Sequence, residues 1–125
     1  MTELSFPDSL PGLAPLRTFG LSEVQGAVGL YSLDSAEMPE VRLFLLDPAV
    51  HLPDYAPRLE RHLKDLGAGA TEELRTLLVV NSSDGAIHVN LLAPVLINTL
   101  TSSGAQVILE GQDYPVRQEL ALPTA

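Results

Sequence analysis

The sequence predicts a mainly β fold: a small antiparallel β-barrel, closed or partly open at one edge, with one short helix. Three observations lead there. Ten prolines and nine glycines are spread through 125 residues and cut the chain into short pieces, which favours turns over long helices. Apolar runs of strand length recur at intervals of roughly 8–12 residues with turn residues between them. A single segment places its apolar residues at helical spacing.

Residues 5–15 read as an irregular opening punctuated by Pro7, Pro11, Gly12 and Pro15. Arg17 to Leu21 and Ala27 to Leu33 are strand-length, and Asp34 to Glu40 is an acidic turn containing Pro39. In Val41 to Leu46, Val41, Leu43 and Leu45 alternate with Phe44 and Leu46, so much of both faces is expected to be buried. Asp47-Pro48 stops that strand.

Pro53 to Gly67 is the helical candidate. Tyr55, Leu59, Leu63 and Leu66 fall on one helical face, with Asp54 as N-cap and Gly67 as C-cap. Pro57 fits only the first turn, so the helix is allowed to begin there. Leu74 to Asn81 is the next strand, and Ser83-Asp84-Gly85 turns it into Ala86 to Val89, because Asp-Gly readily takes positive φ. Val95 to Leu100 and Gln106 to Glu110 form a second hairpin around Ser102-Ser103-Gly104. Tyr114 to Leu120 adds a last strand, and the tail beyond about residue 122 is expected to fray. One domain over residues 1–125 is large enough to bury its own core.

Charge narrows the function. Sixteen acidic residues face seven basic ones, a net charge of −9. A phosphate backbone or an anionic lipid surface needs clustered Lys and Arg, so direct nucleic-acid and membrane binding are disfavoured, while a basic protein partner fits. The chain has no cysteine, so neither disulfides nor thiolate metal sites hold it. Met1 to Leu10 lacks the basic start and apolar core of a secretory signal. The charge-free run from Gly85 to Leu109 is broken by Asn90, Pro94, Asn98 and Gly104, which argues against a membrane span.

Catalytic and metal motifs are sparse. His51, His62 and His88 lie in three different elements without a local ligand pair, and read as solvated or hydrogen-bonded side chains. Ser83 and Ser103 sit in turns rather than a nucleophile elbow. Gly67-Ala68-Gly69-Ala70-Thr71 has no lysine to make a phosphate loop. Glu72 and Glu73 are sequence neighbours that point apart, and Asn81-Ser82-Ser83 is a chance sequon in a turn. No cofactor is expected. Two features remain. From Thr18 to Val41 there are four acids, Glu23, Asp34, Glu37 and Glu40, and no base, which marks them as candidates for steering a basic partner. The uncharged stretch Leu91 to Ile97 lacks strict alternation and contains Pro94, so part of it is expected at an edge or loop where a partner docks.

Those residues carry a resemblance. Asn90-Leu91-Leu92-Ala93-Pro94-Val95-Leu96-Ile97-Asn98, a glycine turn, Gln106-Val107-Ile108-Leu109 and Tyr114 resemble the signature of the FliW family of flagellar assembly factors. Phe6, Leu10-Pro11-Gly12-Leu13, Pro48 and Pro53-Asp54-Tyr55 match in the same order. Ser9 stands where the family usually has glycine, and Leu13 where it has an aromatic residue. The family also has a strand before the phenylalanine, whereas only five residues precede Phe6, and it keeps Tyr55 to Leu59 extended with a helix after it.

The resemblance implies a non-enzymatic cytoplasmic regulator, expected as a monomer. It would bind flagellin and, once freed, bind the RNA-binding repressor CsrA and relieve repression of flagellin synthesis. Asn90, Leu91, Pro94, Ile97, Asn98 and Gln106 are the residues expected to shape or line the partner site. Two other readings stay open. A small-ligand barrel or histidine-using enzyme predicts an enclosed polar pocket, and a self-assembling subunit predicts an open sheet edge.

Overall fold

The computed structural model describes residues 1–83 and 85–120. The expected fraying of the tail beyond about residue 122 lies outside them, as does Asp84. Nine strands form: β1 (Thr2–Ser5), β2 (Thr18–Glu23), β3 (Leu30–Ser35), β4 (Arg42–Leu46), β5 (Leu74–Ser83), β6 (Ala86–Val89), β7 (Val95–Asn98), β8 (Ser103–Gln106) and β9 (Gln118–Leu120). The short helix α1 spans Pro48–His51. Single 3-10 turns occupy Glu60–His62 and Thr71–Glu73.

Seven strands close a barrel in the order β4-β3-β2-β1-β8-β7-β5, with β5 pairing back onto β4. The strands are antiparallel except at β1 and β8, which meet in parallel at Ser5 and Ser103. The five residues before Phe6 therefore supply the strand that the resemblance left in question, and the barrel is closed rather than partly open. β6 continues along the β7 side of β5, and among the described residues β9 pairs only with β6.

Alternation along each strand divides inside from outside. Leu4, Phe19 and Ser35 face each other across β1, β2 and β3 and point inward. With Phe6, Leu10, Leu16, Leu21, Leu33, Leu45, Leu77, Val95 and Ile97 they fill the interior. Phe6 and Phe19 meet edge to face, centroids 5.5 Å apart. Each such burial stabilises the fold by about 1.5–3 kcal/mol. Gly104 of β8 lies against this core, and a methyl there would come within 2.8 Å of the Phe6 ring and 2.9 Å of the Leu96 carbonyl.

The outer face is covered as well. Leu30, Leu46 and Leu78 form an outward row, overlain by Leu52, Tyr55, Leu91, Tyr114 and Leu120. Leu74 and Leu96 lie under Leu59, Leu63, Leu66 and Leu109. β7 is thus packed on both faces, which explains its unbroken apolar run without alternation. It runs between β5 and β8, so the uncharged stretch forms no sheet edge, and its part outside a strand is the loop at 91–94. The β4 expectation also changes: Phe44, on the outward face opposite Ser32 and Val80, is 40% exposed.

The helix forms elsewhere than expected. Asp47 caps α1 by accepting the Ala49 N–H at 2.9 Å, and Pro48 occupies the first turn, where its missing N–H costs nothing. Between Pro53 and Gly67 only Glu60–His62 makes a helical turn, and Asp54 caps nothing. Tyr55 to Leu59 is not helical, in keeping with the resemblance. Gly67 does take a left-handed φ of 65° at the end of the turns. The second hairpin turns at 99–102, not at 102–104, with Ser102 at φ 58°. The Ser83 to Ala86 pairing and Gly85 at φ 76° match the first hairpin. Ser9, in the place of the family glycine, has φ 60°.

Candidate functional site

The uncharged candidates all act inside the fold. Asn90 Oδ1 accepts the N–H groups of Leu92 and Ala93, at 3.1 and 3.0 Å, and so turns the chain between β6 and β7. Leu91 is buried, and its carbonyl accepts the Tyr55 hydroxyl at 2.6 Å. Pro94 closes the loop, its carbonyl accepting Val107 N–H at 3.0 Å. Ile97 is part of the barrel interior. Asn98, 1% exposed, donates to the Leu66 carbonyl and accepts from Leu100 N–H. Gln106 donates to the Ala93 carbonyl at 2.9 Å. These six residues, Leu91 and Pro94 through their backbone carbonyls, hold the loop and β7 in place. The exposed large apolar side chains of the uncharged run are Leu100 and Ile108.

The acidic candidates divide between the two ends of the β2–β3 hairpin. Glu23 accepts Gly29 N–H at one end. Asp34, Glu37 and Glu40 lie toward the other. Asp34 makes a bidentate pair with Arg42, at 2.8 and 3.1 Å. Glu37 accepts both Thr18 and Arg17 N–H, at 2.7 and 2.9 Å. Those backbone donors hold its carboxyl below the usual carboxylate range. Glu40 is exposed in the turn. Strand register adds an acid that sequence reasoning did not single out. Glu3 of β1 lies opposite Gly20, which lies opposite Asp34, so Glu3 and Asp34 share one outer face with the glycine between them.

The histidines do not converge. His51 Nε2 bonds the Val28 carbonyl at 2.8 Å. His62 Nε2 is buried without a partner, and burial, followed by Arg61, lowers its pKa. His88 Nδ1 is likewise buried and unpartnered, on β6 between Asn81 and Glu119. Among the described residues no group of three His, Asp or Glu side chains is placed to hold a metal ion. The barrel interior, where a ligand chamber would lie, is filled by apolar side chains. No helix among the described residues is long and apolar enough to cross a membrane.

Open space lies outside the barrel, on either side of the segment Pro53 to Tyr55. One groove of about 460 Å³ is bounded by His51, Asp54, Tyr55, Leu91, Tyr114 and Gln118. Another of about 400 Å³ lies between Asp47, Pro57 and Arg75. Tyr55 and Tyr114 meet at 4.9 Å between centroids in an edge-to-face pair. Burial pushes the Tyr55 hydroxyl far above its ordinary value, so it stays a neutral donor to Leu91. Sequence reasoning missed this groove, although Tyr55 and Tyr114 both stand in the matched motifs.

Comparison with known proteins gives a consistent result. The family model described as FliW protein matches residues 2–120. The flagellar assembly factor FliW of Moorella thermoacetica is 32% identical over 121 residues, covering 94% of this chain and 77% of that protein. The Thermotoga petrophila protein of the same name is 34% identical, covering 94% and 81%. That of Symbiobacterium thermophilum is also 34% identical, covering 92% and 86%. A crystal structure of the flagellar assembly factor FliW superposes with a TM-score of 0.85 at 24% identity, over 98% of this chain and 86% of the other, and shows the same fold.

Proposed function

Because this chain belongs to the FliW family, we propose that it is a non-enzymatic cytoplasmic regulator of flagellum assembly that binds flagellin and, when free, binds CsrA. Sequestering CsrA relieves its repression of flagellin synthesis, so flagellin export and flagellin translation are coupled through one small protein. The observation that carries this reading is the family match across residues 2–120.

Physical features support it. Among the described residues, a filled barrel and three separated histidines bring no catalytic groups together, which favours a binding role over the ligand-barrel or enzyme reading. A net charge of −9 attracts a basic RNA-binding protein and raises its association rate at low salt. Glu23, Asp34, Glu37 and Glu40, with Glu3, contribute to that field. Asn90, Leu91, Pro94, Ile97, Asn98 and Gln106 set the shape of the scaffold on which the partners dock. Use of one protein by two partners in turn requires overlapping sites or a coupling between them.

A pull-down with purified flagellin and purified CsrA from the same organism tests the reading. Each is expected to be retained by this chain. Retention of neither overturns it.

A further inference from the structure

We propose that the groove lined by Tyr55 and Tyr114 receives an arginine side chain of a basic protein partner. The inference rests on the preceding reading for the partner's basic character, and on the groove itself for the residue it takes. The groove, about 460 Å³, opens outside the barrel where α1 ends, the loop carrying Leu91 passes and β9 begins. Two tyrosine rings line it, and Asp54 is exposed at its rim. Among the described residues no Lys or Arg lines it. Such a site, in a chain of net charge −9, repels acidic groups and attracts cations.

The aromatic walls select among cations. A guanidinium is planar and weakly hydrated, so it stacks on a tyrosine face while keeping its N–H fork for a carboxylate. Asp54 supplies that carboxylate. A lysine ammonium loses more hydration for the same contact. The rings are held in position before any partner arrives. The Tyr55 hydroxyl is bonded to the Leu91 carbonyl at 2.6 Å, and Tyr114 packs against Tyr55 edge to face. The same chemistry already occurs within the chain, where the Arg75 guanidinium lies 4.6 Å from the centroid of the Tyr31 ring.

Two measurements test the proposal. In the first, CsrA is titrated into the protein and into the variants Asp54→Asn, Tyr114→Phe, Tyr114→Leu and Asp8→Asn. Asp54→Asn and Tyr114→Leu are expected to weaken binding roughly 5- to 30-fold. Tyr114→Phe, which keeps the ring, and Asp8→Asn, which lies far along the chain, are expected to bind as the parent does. Asp54 is exposed and caps nothing, so its variant stays informative if Tyr114→Leu fails to fold. Equal binding by the parent and Asp54→Asn overturns the proposal and leaves the CsrA reading standing.

In the second, a short arginine-containing peptide and its citrulline counterpart are added, and amide shifts are followed by NMR. The arginine peptide is expected to shift residues 52–55, 91 and 114, and the citrulline peptide to leave them in place. If CsrA does not bind at all, the earlier reading fails while this arm still decides the groove. Equal shifts with citrulline, or shifts confined to the Asp34–Glu40 end, overturn the arginine site. Equal shifts with a lysine peptide overturn the choice of guanidinium.

Discussion

Asn98 donates from Nδ2 to the carbonyl of Leu66 over 2.8 Å, and this bond ties β7 to the turn that covers its outer face. The side chain is 1% exposed, and its Oδ1 takes Leu100 N–H at 2.9 Å. Removing the amide leaves a buried carbonyl and an N–H without partners. Asn98→Ala is therefore expected to lower stability by about 2–3 kcal/mol. A urea titration followed by circular dichroism reads this as a lower midpoint with an unchanged slope.

Gly104 sits where β8 crosses the Phe6 ring. A methyl would press on the ring at 2.8 Å and on backbone at 2.9 Å, and the carbonyl cannot move aside without shifting β7. Gly104→Ala is expected to cost about 1–3 kcal/mol. A midpoint equal to the parent's would show that the strand relaxes freely at that point.

Most strands were legible in the sequence, but β1 and the order in which the strands pair were not. Alternation in Leu43 and Leu45 marked β4, and the turn at Gly85 marked the first hairpin. The helix was not. Tyr55, Leu59, Leu63 and Leu66 do share a buried side, but they reach it through an extended piece and a chain of turns. Apolar spacing reports which residues face the core and does not report the backbone that takes them there. The signal for the real helix was present in Asp47-Pro48, an N-cap followed by a first-turn proline, and it reads equally well as a strand stop. The site was less legible. The stretch expected at an edge or loop divides into the loop 91–94 and the doubly buried β7, while the groove beside Asp54 depends on Tyr55, Leu91 and Tyr114 meeting across long sequence separations. Glu3 joined the acidic face only through strand register.

His62 makes stability depend on acidity. Its pKa is lowered from the ordinary 6.5, chiefly by burial and then by Arg61, while Asp65 and Glu110 act in the opposite direction. The folded state therefore favours the neutral ring. Its contribution is complete above the ordinary pKa and is lost as pH falls through the folded value. His62→Leu is expected to lose less thermal stability than the parent between about pH 7 and about pH 5. Parallel curves for the two proteins would contradict this.

Among the acidic candidates, Glu40 gives the cleanest test of steering. Asp34 is engaged by Arg42, and Glu37 holds two backbone N–H groups, so reversing either also disturbs the fold. Glu40→Lys changes charge on an exposed turn. It is expected to slow CsrA association roughly 2- to 5-fold at low salt and to flatten its salt dependence, with little change in dissociation. Identical association rates at low and moderate salt would remove the steering role.

In the proposed cycle, one small barrel passes between flagellin and CsrA. The most direct measurement is a calorimetric titration of CsrA into this protein, alone and after saturation with flagellin from the same organism. A 1:1 binding isotherm is expected in the first case and a strongly weakened one in the second. Full CsrA binding in the presence of saturating flagellin, or no binding to either, would contradict it.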